Sequence, residues 1–380
     1  MPLKRQSVLS IISIPIVLFA LFVPNHSASA QTIAESCRVD LDSLPDFLLQ
    51  NDAGAWDSIA RQGKNLFART LTRAQGMIGT ISTEGDCLKV LDGYVQTYRH
   101  GQHIWITPVA SDAVNASDTA GQRNDGPDPS LPTFHTLSAR TVLITIPSFY
   151  LAYADKLRTL IEKHKKDLAS HPNLIIDVHR NGGGSDDSFA PLMPYLLANS
   201  TRTFGAEYLA TEANIKGREE ICGSVPYMPD TEECRRLVAP SLALLRNAKS
   251  GEFVRFPGMD ASGSIASVEK VTRNPRRVGI LMGKDCGSSC DQFLLNARQS
   301  FKVKLFGRPS LGSVDYSNME SHTLPSGKRS LGYAISRSLR LPEMPVDTGI
   351  QPDQLLKEPA DEAAYAGEID QVQRILESAR

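Results

Sequence analysis

Leu174-Ile175-Ile176-Asp177-Val178-His179-Arg180-Asn181-Gly182-Gly183-Gly184 is the stretch from which the fold is read. Its first half is an unbroken aliphatic run of strand length, without the alternation of a half-exposed strand, so both faces need cover. It stops abruptly at polar residues and three successive glycines. Upstream, Val142, Leu143, Ile144 and Ile146 form a second such run, ended by Pro147. Between the two runs, Leu157, Leu160, Ile161 and Leu168 fall on one face of an amphipathic helix, which His171-Pro172-Asn173 terminates. Strand, helix and strand joined by short connections make a crossover unit, and a crossover unit implies a mostly parallel sheet.

A second unit of the same kind follows. Residues 278–282 read as a strand, 288–298 as a helix with Phe293, Leu294 and Leu295 on its apolar side, and 303–306 as another strand. Residues 200–275 between the units are less regular and read as an insertion beside the sheet, with the character of a lid. Residues 31 to about 100 read as helical: Leu41, Leu44, Phe47 and Leu48 recur at helical spacing, as do Ile78, Ile81, Leu88, Leu91 and Tyr94 more loosely. Residues 111–132 are rich in Ser, Asp, Asn, Gly and Pro and read as a linker or exposed loop. The tail from residue 368 reads as a closing helix. The expected organisation is a leader at 1–30, a helical N-terminal domain at 31–110, a linker at 111–135, an α/β catalytic domain at 136–357 that contains the 200–275 insertion, and a C-terminal helix at 358–380.

With 380 residues, 41% hydrophobic and 22% charged, the chain has the composition of a soluble globular protein. Its formal net charge of -1 argues against a polyanion such as nucleic acid as the main partner. The first thirty residues carry Lys4 and Arg5, an apolar run over 8–23 interrupted by Ser10, Ser13 and Pro15, and then Ala28-Ser29-Ala30, the pattern of a cleavable export signal. The chain is therefore expected to be exported, to the periplasm or the medium, with no membrane span once the signal is removed. Six cysteines in the mature part of an exported chain suggest disulfides, and local pairing joins Cys37 to Cys87, Cys222 to Cys234 and Cys286 to Cys290. A zinc site is the weaker reading, because there is no C-x-x-C pair and no histidine at ligand spacing.

Two segments have the chemistry of a site. After Asp177, three glycines remove every Cβ and let backbone N–H groups converge on one oxygen, as stabilising an oxyanion requires. A flexible strand-to-helix loop is the bland alternative. Cys286-Gly287-Ser288-Ser289-Cys290-Asp291 also lies where a strand gives way to a helix. Ser288 there is either an ordinary N-cap or a nucleophile beside the unpaired N–H groups and positive end of the helix. A disulfide between Cys286 and Cys290 would fix that turn.

Taken in order, these motifs resemble the tail-specific, or C-terminal-processing, serine peptidase family, including its tricorn-like members. Asp177 through Gly184 match its strand-Asp-basic-Asn-Gly element, and Ser288-Ser289-Cys290-Asp291 its Ser-x-x-acid element. Further matches are Leu311-Gly312-Ser313-Val314-Asp315-Tyr316-Ser317-Asn318, Leu324-Pro325-Ser326-Gly327 and Asp347-Thr348-Gly349-Ile350-Gln351-Pro352-Asp353. The resemblance covers roughly residues 136–357. It implies a crotonase-like stack of strand and helix units, a Ser288 nucleophile and an oxyanion hole of Gly183 and Ser289 N–H groups. It also implies substrate contacts at Gly182, Gly184 and Gly312, a structural Asp291, and no metal or organic cofactor. Bacterial members use a lysine before the Gly-Ser-Val-like element; Leu311 holds that position and no lysine lies in 308–318. Tricorn-like members take a histidine from an upstream Asp-Gly-His-Thr segment. His100-Gly101-Gln102-His103-Ile104-Trp105 is its counterpart, which implies His103 as base, with His100 the alternative. Asp347 is the implied carboxylate orienting it, and Glu343 its rival. His179 and His322 match no catalytic position and are read as structural.

The stretch 105–141 is too short for the peptide-binding PDZ domain of many relatives, so substrate selection falls to the cleft or the 200–275 segment. The reaction expected is hydrolysis of polypeptides through an acyl-enzyme. A catalytically inactive peptide-binding protein on the same scaffold is the alternative. An acyl-CoA enzyme of related architecture is disfavoured by export and by the lack of a basic nucleotide pocket.

Overall fold

The aliphatic runs do lie side by side. In the computed structural model, which describes residues 32–100, 103–109, 130–225, 227–267 and 271–379, they form a six-stranded sheet. Its order is Gln354–Leu355, Val303–Gly307, Arg277–Met282, Asn173–Asp177, Thr141–Thr145 and Thr133–Thr136. Every pairing is parallel except the antiparallel edge between Thr133–Thr136 and Thr141–Thr145. Alternate side chains of these strands serve opposite faces, as a strand repeat of two requires. Ile144, Ile176 and Ile280 pack with Leu157, Ile161, Phe293 and Leu294 from the crossover helices. Leu143, Ile175 and Leu281 pack instead with Val372 and Leu376 of the closing helix Glu362–Ser378. That helix lies so close that a Cβ on Gly279 would meet Val372 Cγ1 at 2.8 Å. It begins within the expected 358–380 segment, at an Asp361 cap whose side chain accepts from Ala364 N–H.

A second, antiparallel sheet has no counterpart in the sequence reading. Its spine, Arg329–Ser338, pairs with Tyr316–Thr323 along one edge and with Trp105–Pro108 and Ala206–Leu209 along the other, and Phe253–Arg255 follows Ala206–Leu209. Residues 200–275, expected beside the central sheet, thus contribute two strands to this second sheet. The helices Ile33–Asn51, Ala55–Gln62, Lys64–Met77 and Glu84–Val95 cover it. Leu41, Leu44, Leu48 and Leu91 share one core with Leu331, Tyr333 and Ile335. Arg329 fastens the same junction: wholly buried, it donates to Asp40 at 2.7 Å and, through two nitrogens, to Glu84 at 2.6 and 2.7 Å. Residues 33–380 form one compact unit, in which the expected helical and catalytic parts share a core.

The three local disulfides are present: Cys37–Cys87, Cys222–Cys234 and Cys286–Cys290. No helix among the described residues is long and apolar enough to cross a membrane. The expected export signal and most of the polar linker lie outside the described residues.

Candidate active site

Asn173–Asp177 and Arg277–Met282 are neighbours in the sheet, so the loops leaving their ends must meet. A Cβ on Gly183 would stand 2.7 Å from Ser288 Cβ, 2.6 Å from Gly287 O and 3.0 Å from Ser289 N, so only glycine fits there. Gly183 also has φ +97, where L side chains are strained. Ser288 precedes the helix Ser289–Ala297 with φ 57 and ψ -121. For a non-glycine residue such a conformation costs roughly 1–3 kcal/mol and persists only where its surroundings hold it.

Those surroundings are explicit. Ser288 N–H donates to Ser313 Oγ at 2.7 Å. Asp291, wholly buried, accepts at one oxygen from Ser310 Oγ at 2.5 Å and Gly312 N at 3.2 Å, and at the other from Ser313 N at 2.8 Å. Burial pushes its carboxyl up, against these bonds. Leu311 N donates to Cys286 O at 2.8 Å, and the Cys286–Cys290 disulfide closes the turn. Asp291 is thus a structural acid that braces the 310–313 segment, and that segment braces Ser288.

His103 reaches the same cleft on a different segment. A cavity of ≈ 840 Å³ is lined by His103, Ser288 and Ser289 together with Gly182, Gly184, Asp186 and Arg218. His103 Nδ1 lies 2.6 Å from the Tyr316 carbonyl oxygen. A carbonyl can only accept, so Nδ1 carries the proton and Nε2 keeps its lone pair. The backbone of His103, at φ 51, is held by Arg99, which donates to its carbonyl at 3.1 Å and pairs with buried Asp52 at 2.5 and 2.6 Å. Burial pulls the imidazole pKa down to about 4, helped by the Arg99 charge and opposed by the Tyr316 bond. The ring is therefore neutral at neutral pH.

Several expected residues are placed otherwise. Asp347 does not orient the imidazole: Nδ1 is committed to the Tyr316 carbonyl, and the Asp347 carboxylate lies 3.9 Å from Arg61 with much of its surface in solvent. Its rival Glu343 is exposed, as is His100. Gly312 is not among the residues lining this cavity: its N–H is taken by Asp291 and a Cβ there would meet Val346 O at 2.2 Å. Gly183 N–H donates to Asn181 Oδ1 at 2.9 Å, so the expected oxyanion donor already has an acceptor. Gly182 and Gly184 do line the cleft, Gly184 with its Cα against the Phe149 carbonyl. His179 bonds Asp177 at 2.7 Å and stacks on Tyr365, while His322 stacks on Phe47 away from Ser288. Sequence reasoning missed Ser313, although it lay inside a quoted motif, and the Tyr316 carbonyl, for which a side-chain sequence has no sign. It also missed Asp186, which bonds the Ser289 hydroxyl and whose carboxyl is driven up to about 6 by desolvation against the cleft wall, although the residue as a whole is exposed. Among the described residues no cluster of His, Cys, Asp or Glu is arranged to hold a metal ion.

The profile of peptidase family S41 matches residues 140–356, more than half of the chain. The chain belongs to peptidase family S41. The resemblance seen in the motifs is thus a family membership, and this S41 chain is a serine-type peptidase, a hydrolase of polypeptides. No curated protein matches it. Among solved structures it is similar to a protein from Parabacteroides merdae described as a candidate peptidase, at 14% identity and TM-score 0.56, over 90% of this chain and 99% of that one. It is similar also to mature CPAF in complex with lactacystin, at 13% identity and TM-score 0.54, over 90% and 98% of the two chains. At such identities these likenesses speak for a shared S41 fold.

Proposed function

We propose that this S41 peptidase is an exported endopeptidase that works through an acyl-enzyme on Ser288, with neutral His103 as the base. The observation that carries the reading is the joint position of the two groups. A serine held at positive φ on a helix N-terminus opens into the same cleft as an imidazole whose Nδ1–H is tied to a carbonyl. With Nδ1 protonated, Nε2 accepts the hydroxyl proton while Oγ attacks the scissile carbonyl. The resulting oxyanion forms at the helix N-terminus, where Ser289 N–H and the helix dipole favour negative charge. Gly183 N–H joins by exchanging Asn181 Oδ1 for the oxyanion. Protonated His103 then gives its proton to the leaving amine, and water, activated by the same nitrogen, releases the acyl group. The Tyr316 carbonyl takes the orienting place that a carboxylate holds in many triads.

Export is supported by the N-terminal leader pattern and by three disulfides, which persist in oxidising compartments. The test is covalent labelling by a fluorophosphonate together with hydrolysis of unfolded protein substrates. Both are expected to vanish in Ser288→Ala while the circular dichroism spectrum is kept. Full hydrolysis by Ser288→Ala sinks the assignment, and a wild-type chain that neither labels nor cleaves returns the reading to an inactive scaffold.

A further inference from the structure

The wall of the same cleft carries one partner of a buried ion pair that the reaction does not use. Arg218, on the helix Glu212–Glu220, is 6% exposed and lines the cavity with Ser288 and His103. Its nearest opposite charge is Glu320, on the strand Tyr316–Thr323, with Nη2 and Oε1 2.9 Å apart and the Glu320 side chain 1% exposed. The contact is close but poorly aligned. Arg218 Nε and Nη2 and both Glu320 oxygens lie buried without a hydrogen bond of acceptable geometry. Buried charged groups in that condition are expensive, and a guanidinium presents its donors as a fork that fits a carboxylate. Burial also pushes the Glu320 carboxyl up to about 7 even against the Arg218 charge, so its hold on the guanidinium at neutral pH is partial.

We infer that Arg218 is a specificity residue that receives a carboxylate of the polypeptide substrate, displacing Glu320 from the guanidinium. The carboxylate comes from an Asp or Glu side chain or from a chain terminus; the recognition chemistry is the same for both. The rest of the wall suits a peptide, since Tyr208, Tyr227, Phe204, Phe256 and Met259 present aromatic and apolar surface around the charge. The position within the cleft is also constrained. Tyr208 is within electrostatic reach of both Arg218 and Asp186, and Asp186 bonds the Ser289 hydroxyl beside the nucleophile. Asp186 and Asp187 disfavour a carboxylate at the reacting end, so the acidic group is directed to the Arg218 end, away from the scissile bond.

The inference rests on this cleft being the substrate cleft, and the test separates the two. The full chain carrying Ser288→Ala serves as a trap for fluorescein-labelled heptapeptides. One set has a single Glu at each position in turn, the matched set has Gln, and the Gln set is made both as C-terminal acid and as amide. We expect the Glu peptides, or the C-terminal acids, to bind at least tenfold tighter than their neutral counterparts; which arm shows the gain identifies the source of the carboxylate. Adding Arg218→Met and Glu320→Met together removes both charges without stranding either, a change that cores often tolerate, and should erase the discrimination at an unchanged circular dichroism spectrum. Equal or undetectable binding of acidic and neutral peptides overturns the inference, as does discrimination that survives the double substitution. Cleavage of the Gln amides by the chain with Ser288 intact reads the hydrolytic chemistry alone, so a failure there is distinguishable from a failure at Arg218.

Discussion

The proposed proton acceptor, His103, has a folded pKa of about 4, below its ordinary value near 6.5. It works as a base only when neutral, so kcat/KM should hold through pH 6 and fall near pH 4. Stability should fall in the same direction, beginning at higher pH. Between those values an unfolded chain binds the proton and the folded one does not, so acidification across that window favours unfolding, and stability returns above it. A pH–rate profile and melting curves across pH 4–7 check both statements. Asp186, at about 6, and Glu320, at about 7, also titrate near the upper end of that window; an acid limb near 6 that Asp186→Asn abolishes would assign the limb to Asp186 instead. Ser313 is the second residue with a sharp expectation. Its hydroxyl accepts from the half-buried Ser288 N–H, and depriving such a donor of that partner costs about 1–2 kcal/mol. Ser313→Ala should therefore lower kcat some ten- to a hundredfold with KM little changed, in single-turnover assays on one peptide. An unchanged kcat would mean that the disulfide and helix hold Ser288 without it.

At the scale of elements, two disulfides do different work. Cys37–Cys87 joins the helices Ile33–Asn51 and Glu84–Val95 across a separation of 50 residues. Cys286–Cys290 spans four and brackets Ser288. Chain-entropy arguments give about 4 kcal/mol for the long loop and about 2 kcal/mol for the short one. Cys37→Ser with Cys87→Ser should thus lower the melting temperature more, yet leave kcat of the surviving folded chain intact. Cys286→Ser with Cys290→Ser should melt higher than that pair but lose most of its turnover. Paired melting and rate measurements decide it, and equal kcat in the two double variants would remove any positioning role for the short bridge. Elements also mark where sequence reading succeeded. The central strands were legible because they are aliphatic on both faces, and the local cysteine pairs because they are close in sequence. The strands Tyr316–Thr323 and Arg329–Ser338 were not. They carry Glu320, His322, Arg329 and Arg337 among their apolar residues, and the opposite charges that Glu320, Arg329 and Arg337 meet lie far away in the chain.

For the whole molecule the same distinction holds. Which loops meet at the cleft was readable from Gly182-Gly183-Gly184 and Ser288, because a close backbone approach needs glycine and a helix start exposes its N–H groups. How the His103 ring is oriented was not, because Nδ1 faces a backbone carbonyl, where a reader limited to side chains looked to Asp347. The 31–110 segment read as a domain of its own, whereas its helices complete the core of the second sheet. Arg329 tests that union. With the partnered Asp40 wholly buried, Arg329→Met leaves a carboxylate unpaired and should cost about 3–5 kcal/mol. Denaturant titration followed by tryptophan fluorescence, with Trp56 and Trp105 both in this region, would show it. A loss under 1 kcal/mol would mean the junction is apolar in origin.

Asp52 accepts from Arg99 and also from Ala334 N–H at 3.3 Å, and Arg99 in turn grips the His103 carbonyl. The imidazole therefore has no address of its own. It is delivered only when the amino-terminal quarter of the polypeptide has docked on strands made from the last. On the proposed reading, a partly assembled copy, with its hydroxyl in place and its imidazole still adrift, would be a blunt blade.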